Sequence, residues 1–254
     1  MGGNSENMEG FSLEGGEEVI IIIHGFTSTP SAVKPLAQEL QKKGFSVVVP
    51  RLPGHGTHPD DLLRVTWEDW KKAIHETTIS ARHLYGKVHC LGVSMGGNLA
   101  ITCAAEHPEN VEKIICLGTP IFLRRKTFIR AALPILSRLK KFHKENLHDH
   151  PEGAKYYAET GAYSVWPYKG LKELLRGIEE TKKALSHIVH PIYTIQSLQD
   201  PLIHPKSSAF IMQTIKTPDE RKKQLLLNDN QHILTNDHEQ KKIVEAIIEF
   251  LRWD

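Results

Sequence analysis

The sequence predicts an α/β fold, a mostly parallel central sheet flanked by helices. Three observations carry that reading. The run Val19-Ile20-Ile21-Ile22-Ile23 is apolar without alternation, as a strand covered on both faces must be. From residue 19 to residue 117 such runs alternate with stretches of helical spacing, which is the rhythm of βαβ units. At 254 residues the chain is long enough to bury a large core yet sits in the range of one α/β unit, so a single domain over 1–254 is expected.

Taken in order, Phe11-Ser12-Leu13 alternates and reads as a short edge strand ahead of the isoleucine run. His24-Gly25-Phe26-Thr27-Ser28 is a polar loop, after which Thr29 or Ser31 can cap a helix through Leu40 and Lys43, stopped by Gly44. Phe45 to Val49 is a second buried strand. Pro53-Gly54-His55-Gly56-Thr57-His58-Pro59 is too rich in turn residues for regular structure, and His55 and His58 are expected to shape that loop. Thr66, with Asp69 three residues on, starts a long helix to about Leu84. A strand then enters Gly92-Val93-Ser94-Met95-Gly96 and a helix leaves it toward Glu106; Lys113 to Leu117 is a further strand. Roughly seventy residues then pass before Ile192-Tyr193-Thr194-Ile195, a gap too long for a structureless loop, so inserted helices are expected there. Leu171, Leu174, Leu175, Ile178 and Leu185 have the spacing of a helix leading back to the sheet. A helix near Lys206 to Ile215, a strand at Gln224 to Leu227 and a closing helix from about His238 to Leu251 complete the chain.

Composition excludes several classes. The 32 basic and 30 acidic residues leave a net charge of +2, no electrostatic footprint for nucleic acid. The three cysteines, Cys90, Cys103 and Cys116, lie in apolar runs and read as reduced core residues. The N-terminal residues lack the basic and apolar regions of a secretory signal, and Glu6 stands where myristoylation needs Ser or Thr. The longest uncharged stretch, Val88 to Ala105, is broken by Gly92, Gly96, Gly97 and Asn98, so no span of a bilayer is expected. The chain therefore reads as soluble and cytoplasmic. His143, His148 and His150 are the densest histidine cluster but lack metal-ligand spacing, so no metal is expected. The basic and apolar stretch from Ile121 to Lys144, interrupted at Pro134, reads as cap structure with one wet face rather than a lipid-binding element.

The chemistry gathers at Gly92-Val93-Ser94-Met95-Gly96. A sharp turn between strand and helix lifts its serine above the sheet, and the flanking glycines are needed because a β-carbon would clash as strand and helix cross. A serine hydroxyl becomes a nucleophile only when a neutral imidazole takes its proton and a carboxylate orients that imidazole. Partners should follow strands, because ligands in open parallel sheets bind beyond the strands' carboxyl ends. Asp200 follows the Ile192 strand and His232 follows the Gln224 strand. Asp229 and Asp237 compete with Asp200, and His204 and His238 with His232. His204 lies in the aspartate's own loop and His238 belongs to the final helix, which leaves His232 at a strand end with nothing regular around it. The order Ser94, Asp200, His232 is that of nucleophile-elbow hydrolases. Two backbone donors for an oxyanion are expected from Met95, directly after the serine, and from Phe26 in the loop after the first buried strand.

With His24-Gly25-Phe26-Thr27, Pro50-Arg51-Leu52-Pro53-Gly54-His55-Gly56-Thr57-His58, the Ser94 turn, Asp200 followed by Ile203-His204-Pro205, and His232 after its polar loop, the chain resembles the α/β-hydrolases of the Bacillus-type carboxylesterase and monoacylglycerol lipase kind. The resemblance implies an α/β-hydrolase fold with a small helical cap inserted after the sixth family strand, at about 121–185. It implies the triad Ser94-Asp200-His232 and the oxyanion donors Phe26 and Met95. It further implies hydrolysis of short- to medium-chain carboxylic esters, in one branch monoacylglycerols, on a small-molecule ester substrate without a cofactor, by a monomer or homodimer with no stable membrane insertion. A ligand receptor on the same fold is the reading from another class; a dehalogenase would carry aspartate at the turn. Residues 121–169 depart from the family pattern. Where monoacylglycerol lipases present an acidic cap residue to glycerol, Glu159 is the nearest candidate.

Overall fold

The isoleucine run lies in the middle of the sheet. The structure, a computed structural model, describes residues 8–124, 133, 136–144, 151–228 and 240–253. Among them the main sheet has seven strands: β1 (Phe11–Leu13), β2 (Glu18–Ile23), β3 (Ser46–Val49), β4 (Lys87–Val93), β5 (Lys113–Leu117), β8 (Ile192–Ser197) and β9 (Lys222–Leu227). Their order is β1-β3-β2-β4-β5-β8-β9, with β1 antiparallel to β3 and every other pairing parallel. The fold class expected from the sequence is the one observed.

The lack of alternation in β2 has the predicted cause. Val19, Ile21 and Ile23 pack on one face with Trp67, Trp70 and Leu99, while Ile20 and Ile22 pack on the other with Leu36, Leu40 and Ile247. The first face is covered by α2 (Trp67–Leu84), α3 (Met95–Glu106) and α5 (Tyr168–Ala184), the second by α1 (Lys34–Lys42) and α7 (Gln240–Leu251). A further helix, α6 (Lys206–Thr214), joins β8 to β9. Burying an isoleucine contributes about 1.5–3 kcal/mol, so this strand alone favours the layered arrangement strongly.

The capping box at the start of α2 forms as its spacing predicts: Thr66 N–H donates to Asp69 at 2.8 Å, and Asp69 N–H donates to the Thr66 hydroxyl at 3.3 Å. The helix expected after Thr29 starts differently. A 3-10 turn, Pro30–Val33, precedes α1, and Thr29 makes no side-chain cap bond. Its hydroxyl is committed elsewhere, as described below.

Between β5 and β8 runs the long insertion. Its described parts are the antiparallel pair β6 (Phe142–Lys144) and β7 (Val165–Pro167), the helix α4 (Pro151–Thr160), and α5. The β6–β7 pair adds strand to a segment expected to be helical. The spacing of Leu171, Leu174 and Ile178 does bury one face of α5 against the core. At Gly177 a β-carbon would lie 2.4 Å from the Trp67 ring, so only glycine lets α5 and α2 meet this closely. Residues 125–132, 134 and 135, and with them most of the basic stretch that includes Pro134, lie outside the described residues. All three cysteines are buried free thiols; burial pushes Cys103 up to about 11 and Cys116 to about 12, so neither supplies a thiolate at neutral pH.

Candidate active site

Ser94 occupies the turn from β4 to α3 with φ 52° and ψ −120°. Only two non-glycine residues among those described have positive φ, Ser94 and Thr27, and both lie at the carboxyl end of the sheet. Such backbone costs about 1–3 kcal/mol per residue and persists where the surroundings over-determine it.

At Ser94 the surroundings are steric. A β-carbon on Gly92 would lie 2.2 Å from Gly96 and Gly97 backbone, and one on Gly96 would lie 2.0 Å from the Ile23 carbonyl oxygen. A β-carbon on Gly97 would strike the Thr119 hydroxyl, the loop end of β5. Strand, turn and helix are thus in backbone contact, with the Ser94 amide donating to Leu117 O at 2.8 Å. Met95 opens α3, so its amide is among the first-turn donors that have no intrahelical acceptor.

The loop after β2 meets this turn. A β-carbon on Gly25 would lie 3.3 Å from the Ser94 Cβ, which places the backbone just before Phe26 against the serine. His24, fully buried, fixes the loop from below: its Nε2 accepts from Leu52 N–H at 3.2 Å and its Nδ1–H donates to Gly25 O at 3.0 Å. Accepting at Nε2 requires the neutral ring, and burial lowers its pKa to about 4. The Phe26 ring packs edge-on to His55 and Trp70, with centroids 6.4 and 6.3 Å away. His55 is itself buried and held neutral by burial and by the neighbouring His24. His58 caps the short 3-10 turn that follows, so both histidines shape this loop as the sequence suggested.

Thr27, the second strained residue, is held by hydrogen bonds. Its carbonyl accepts from Tyr163 N–H at 2.8 Å, and its own hydroxyl donates to Phe26 O at 2.7 Å. Ser28 Oγ shares a hydrogen bond with the half-buried Tyr156 phenol at 3.1 Å, and Thr29 Oγ1 donates to Thr160 O at 2.5 Å. The Tyr163 phenol donates to Gly54 O at 3.1 Å and accepts from Thr57 N–H at 2.9 Å. Sequence reasoning did not find Tyr156, Thr160 or Tyr163 in this role, and no local pattern distinguishes them.

Asp200 lies three residues beyond the end of β8, two strands from the serine, and is fully buried. Its Oδ1 accepts from Leu202 N–H and Ile203 N–H, both at 2.8 Å, and its Oδ2 from Gln196 at 3.4 Å. Arg124 also grips this loop, donating from Nε to Asp200 O and from a terminal nitrogen to Leu198 O at 3.0 Å. Arg124 belongs to a basic run whose members look alike in sequence, which is why it went unmarked.

His232, with Asp229, Asp237 and His238, lies outside the described residues, as do His148 and His150. His204 accepts from Lys206 N–H at 3.1 Å and so serves its own loop. Glu159 projects from α4 with its side chain 62% exposed, 3.8 Å from Lys155. It does not face into the site. Among the described residues no group of three or more His, Cys, Asp or Glu could hold a metal ion, and no helix is long and apolar enough to cross a membrane.

Comparison with known proteins adds an independent line. Residues 16–239 match the family described as serine aminopeptidase, S33. A thermostable monoacylglycerol lipase of Bacillus sp. (strain H-257) is 31% identical over 253 residues, covering 95% of this chain and 93% of that protein. A carboxylesterase of Bacillus subtilis (strain 168) is 24% identical and covers 95% of each chain. A solved structure from a study of the metagenome-derived lipolytic enzymes LipS and LipT superposes with a TM-score of 0.85 at 24% identity, over 97% of this chain and 98% of that one. That last likeness bears on the fold. The family match spans the serine turn and the Asp200 loop alike, and the chain belongs to the serine aminopeptidase S33 family of α/β-hydrolases, a hydrolase related to the Bacillus esterases and monoacylglycerol lipases.

Proposed function

We propose that the protein is a serine carboxylesterase acting on short- to medium-chain carboxylic esters through an acyl-enzyme. One observation carries the reading: Ser94 stands in a strained turn at the head of α3 with the Gly25-Phe26 backbone against it. In the reaction, Ser94 Oγ attacks the acyl carbon while His232 takes its proton. The oxyanion accepts from the amides of Met95 and Phe26. The tetrahedral adduct collapses, the C–O bond breaks, and His232 returns the proton to the departing alcohol. Water, deprotonated by His232, then attacks the acyl-enzyme and frees the acid and the serine. Asp200 keeps the imidazole oriented and stabilises its charged form; its two backbone donors favour the ionised carboxylate this needs. No cofactor or metal enters these steps. The buried free thiols support a reducing compartment, the cytoplasm.

The test is Ser94→Ala, which should lower turnover of p-nitrophenyl butyrate and caprylate by at least about a thousandfold. A fluorophosphonate should label the wild-type chain at Ser94 and leave the variant unlabelled. Full activity in the variant would refute the nucleophile, and an unlabelled wild-type chain would instead favour a non-hydrolytic ligand receptor. A second reading, monoacylglycerol lipase, is favoured by the 31% identity to the Bacillus monoacylglycerol lipase across nearly the whole chain. Turnover of 1-monocaprylin against ethyl caprylate separates the two, because only the lipase reading predicts preference for the glyceryl ester.

A further inference from the structure

The second strained residue of the site lies in the loop after β2. Thr27 directly follows the proposed oxyanion donor Phe26 and has φ 60°. Its turn is closed locally, with Ser28 N–H donating to Gly25 O at 3.2 Å, and further bonds reach it from more than a hundred residues away. Tyr163 N–H donates to the Thr27 carbonyl, Tyr156 bonds Ser28, and Thr29 donates to the Thr160 carbonyl. All three partners lie in or just after α4, within the insertion between β5 and β8. Thr29 and Thr160 are buried, so water does not substitute readily for that bond.

We propose that the end of α4 and the residues after it clamp the oxyanion loop, and that Ser28 and Thr29 are positioning residues that hold the Phe26 amide in its donating direction. The proposal rests on the reading of Phe26 as an oxyanion donor. The donor sits inside the Gly25–Ser28 turn that those bonds anchor, so its position depends on them. Once they break, the turn shifts as a unit and carries the Phe26 amide away from Ser94. The insertion would then do more than shape the substrate pocket. Its seating on the loop would complete the catalytic centre, and its displacement would switch the centre off while the serine stayed in place.

The experiment compares wild type, Ser28→Ala, the double variant Ser28→Ala/Thr29→Val, and Ser28→Ala/Thr29→Ser, which keeps a hydroxyl at position 29. Turnover is expressed per active site titrated with a fluorophosphonate, so that misfolded protein drops out of the comparison. Removing an oxyanion donor costs about 10²–10³ in turnover, so misdirecting one should lower kcat by about thirtyfold in the double variant. KM should stay within about twofold, and the factor should be the same for butyrate and caprylate esters, because every acyl chain forms the same oxyanion. Thr29→Ser should recover most of the loss attributable to position 29. A kcat per titrated site within twofold of wild type would overturn the clamp, as would a loss that changes with acyl length, the mark of pocket-lining residues. Should the double variant not fold, the single Ser28→Ala decides on the same criteria, with an expected loss of about fivefold and an unchanged site. Activity surviving in Ser94→Ala would instead bring down the underlying reading, whatever these variants do.

Discussion

The serine turn and the two loops beside it reach their positions by different means. The turn is fixed by contact: Gly92, Gly96 and Gly97 bring strand, turn and helix backbones together where no side chain fits. The Phe26 and Asp200 loops, besides their own turn bonds, are tied by hydrogen bonds reaching in from elsewhere, from α4 and Tyr163 in one case and from Arg124 in the other. Steric fixing leaves no room for adjustment. Fixing by hydrogen bonds is distributed, graded and open to change when a remote segment moves. The Ser94 turn is therefore the rigid part of the candidate site, and the two loops beside it are the adjustable parts.

The sharpest way to break this contrast is Gly96→Ala. The added carbon would sit 2.0 Å from the Ile23 carbonyl oxygen, a backbone atom at the end of the central strand that cannot swing aside. Overpacking a core usually costs 1–3 kcal/mol, but here neither partner has a rotamer to change. The expected loss is above about 4 kcal/mol, seen in urea unfolding, with few sites titrated. Gly86→Ala is the control. Its nearest neighbour beyond the adjoining residues would be 3.9 Å away, and its stability should stay within about 1 kcal/mol of wild type. Equal stability of the two variants would show that contact does not set the turn.

A second effect belongs to the oxyanion loop and depends on pH. His24 is neutral in the fold, with a pKa near 4, against 6.5 when exposed in the unfolded chain. Between those values the unfolded chain binds a proton that the folded chain refuses, so stability falls as pH drops from 6.5 toward 4. Above 6.5 this residue contributes no slope. The full loss is about 3 kcal/mol, from 1.36 kcal/mol per pKa unit. His24→Gln can still accept from Leu52 N–H and cannot titrate, so urea midpoints measured from pH 7 to 4 should decline less steeply in the variant. An identical decline in both proteins would place the proton elsewhere, with His55, whose ring centroid lies 5.0 Å away, the next candidate.

The same contrast explains what could be read in advance. The isoleucine run, the Thr66-Asp69 capping box and the Gly-x-Ser-x-Gly turn are each written in a few consecutive residues, and the capping box contains both partners of the bonds that make it. Asp200 was legible because it follows a strand and meets the amides of its own loop. Thr29, which the sequence offers with Ser31 as a helix cap, takes the N-cap position without a cap bond, because its hydroxyl goes to Thr160 and only the fold shows that competitor. Glu159 was proposed from chain position alone, and the helical phase of α4 turns it to solvent beside Lys155. Nothing within ten residues of Tyr163 announces bonds to Gly54 and Thr57. The candidate residues stand in local patterns and their supports do not, because the supports pair residues far apart in the chain.

Arg124 gives the smallest effect and the finest test. Its guanidinium donates to two main-chain carbonyls of the acid loop, Asp200 O and Leu198 O. Bonds from a charged donor can be worth about 1.5–3 kcal/mol when buried, but Arg124 is exposed and water competes for the same carbonyls. The Asp200 carboxylate also keeps its two backbone donors without help from Arg124. Arg124→Met should therefore lower kcat per titrated site by only about fivefold, on the order of 1 kcal/mol in the barrier, with KM unchanged. Arg124→Lys, a single charged point in place of a fork, should fall between the two. The ratio to the Ser28→Ala/Thr29→Val loss then measures the asymmetry of the two supports. If Arg124→Met costs as much as the double variant, exposure does not weaken the grip on the acid loop. The two supports would then be of equal rank, and the insertion would hold the site as tightly at its first residues as at the end of α4.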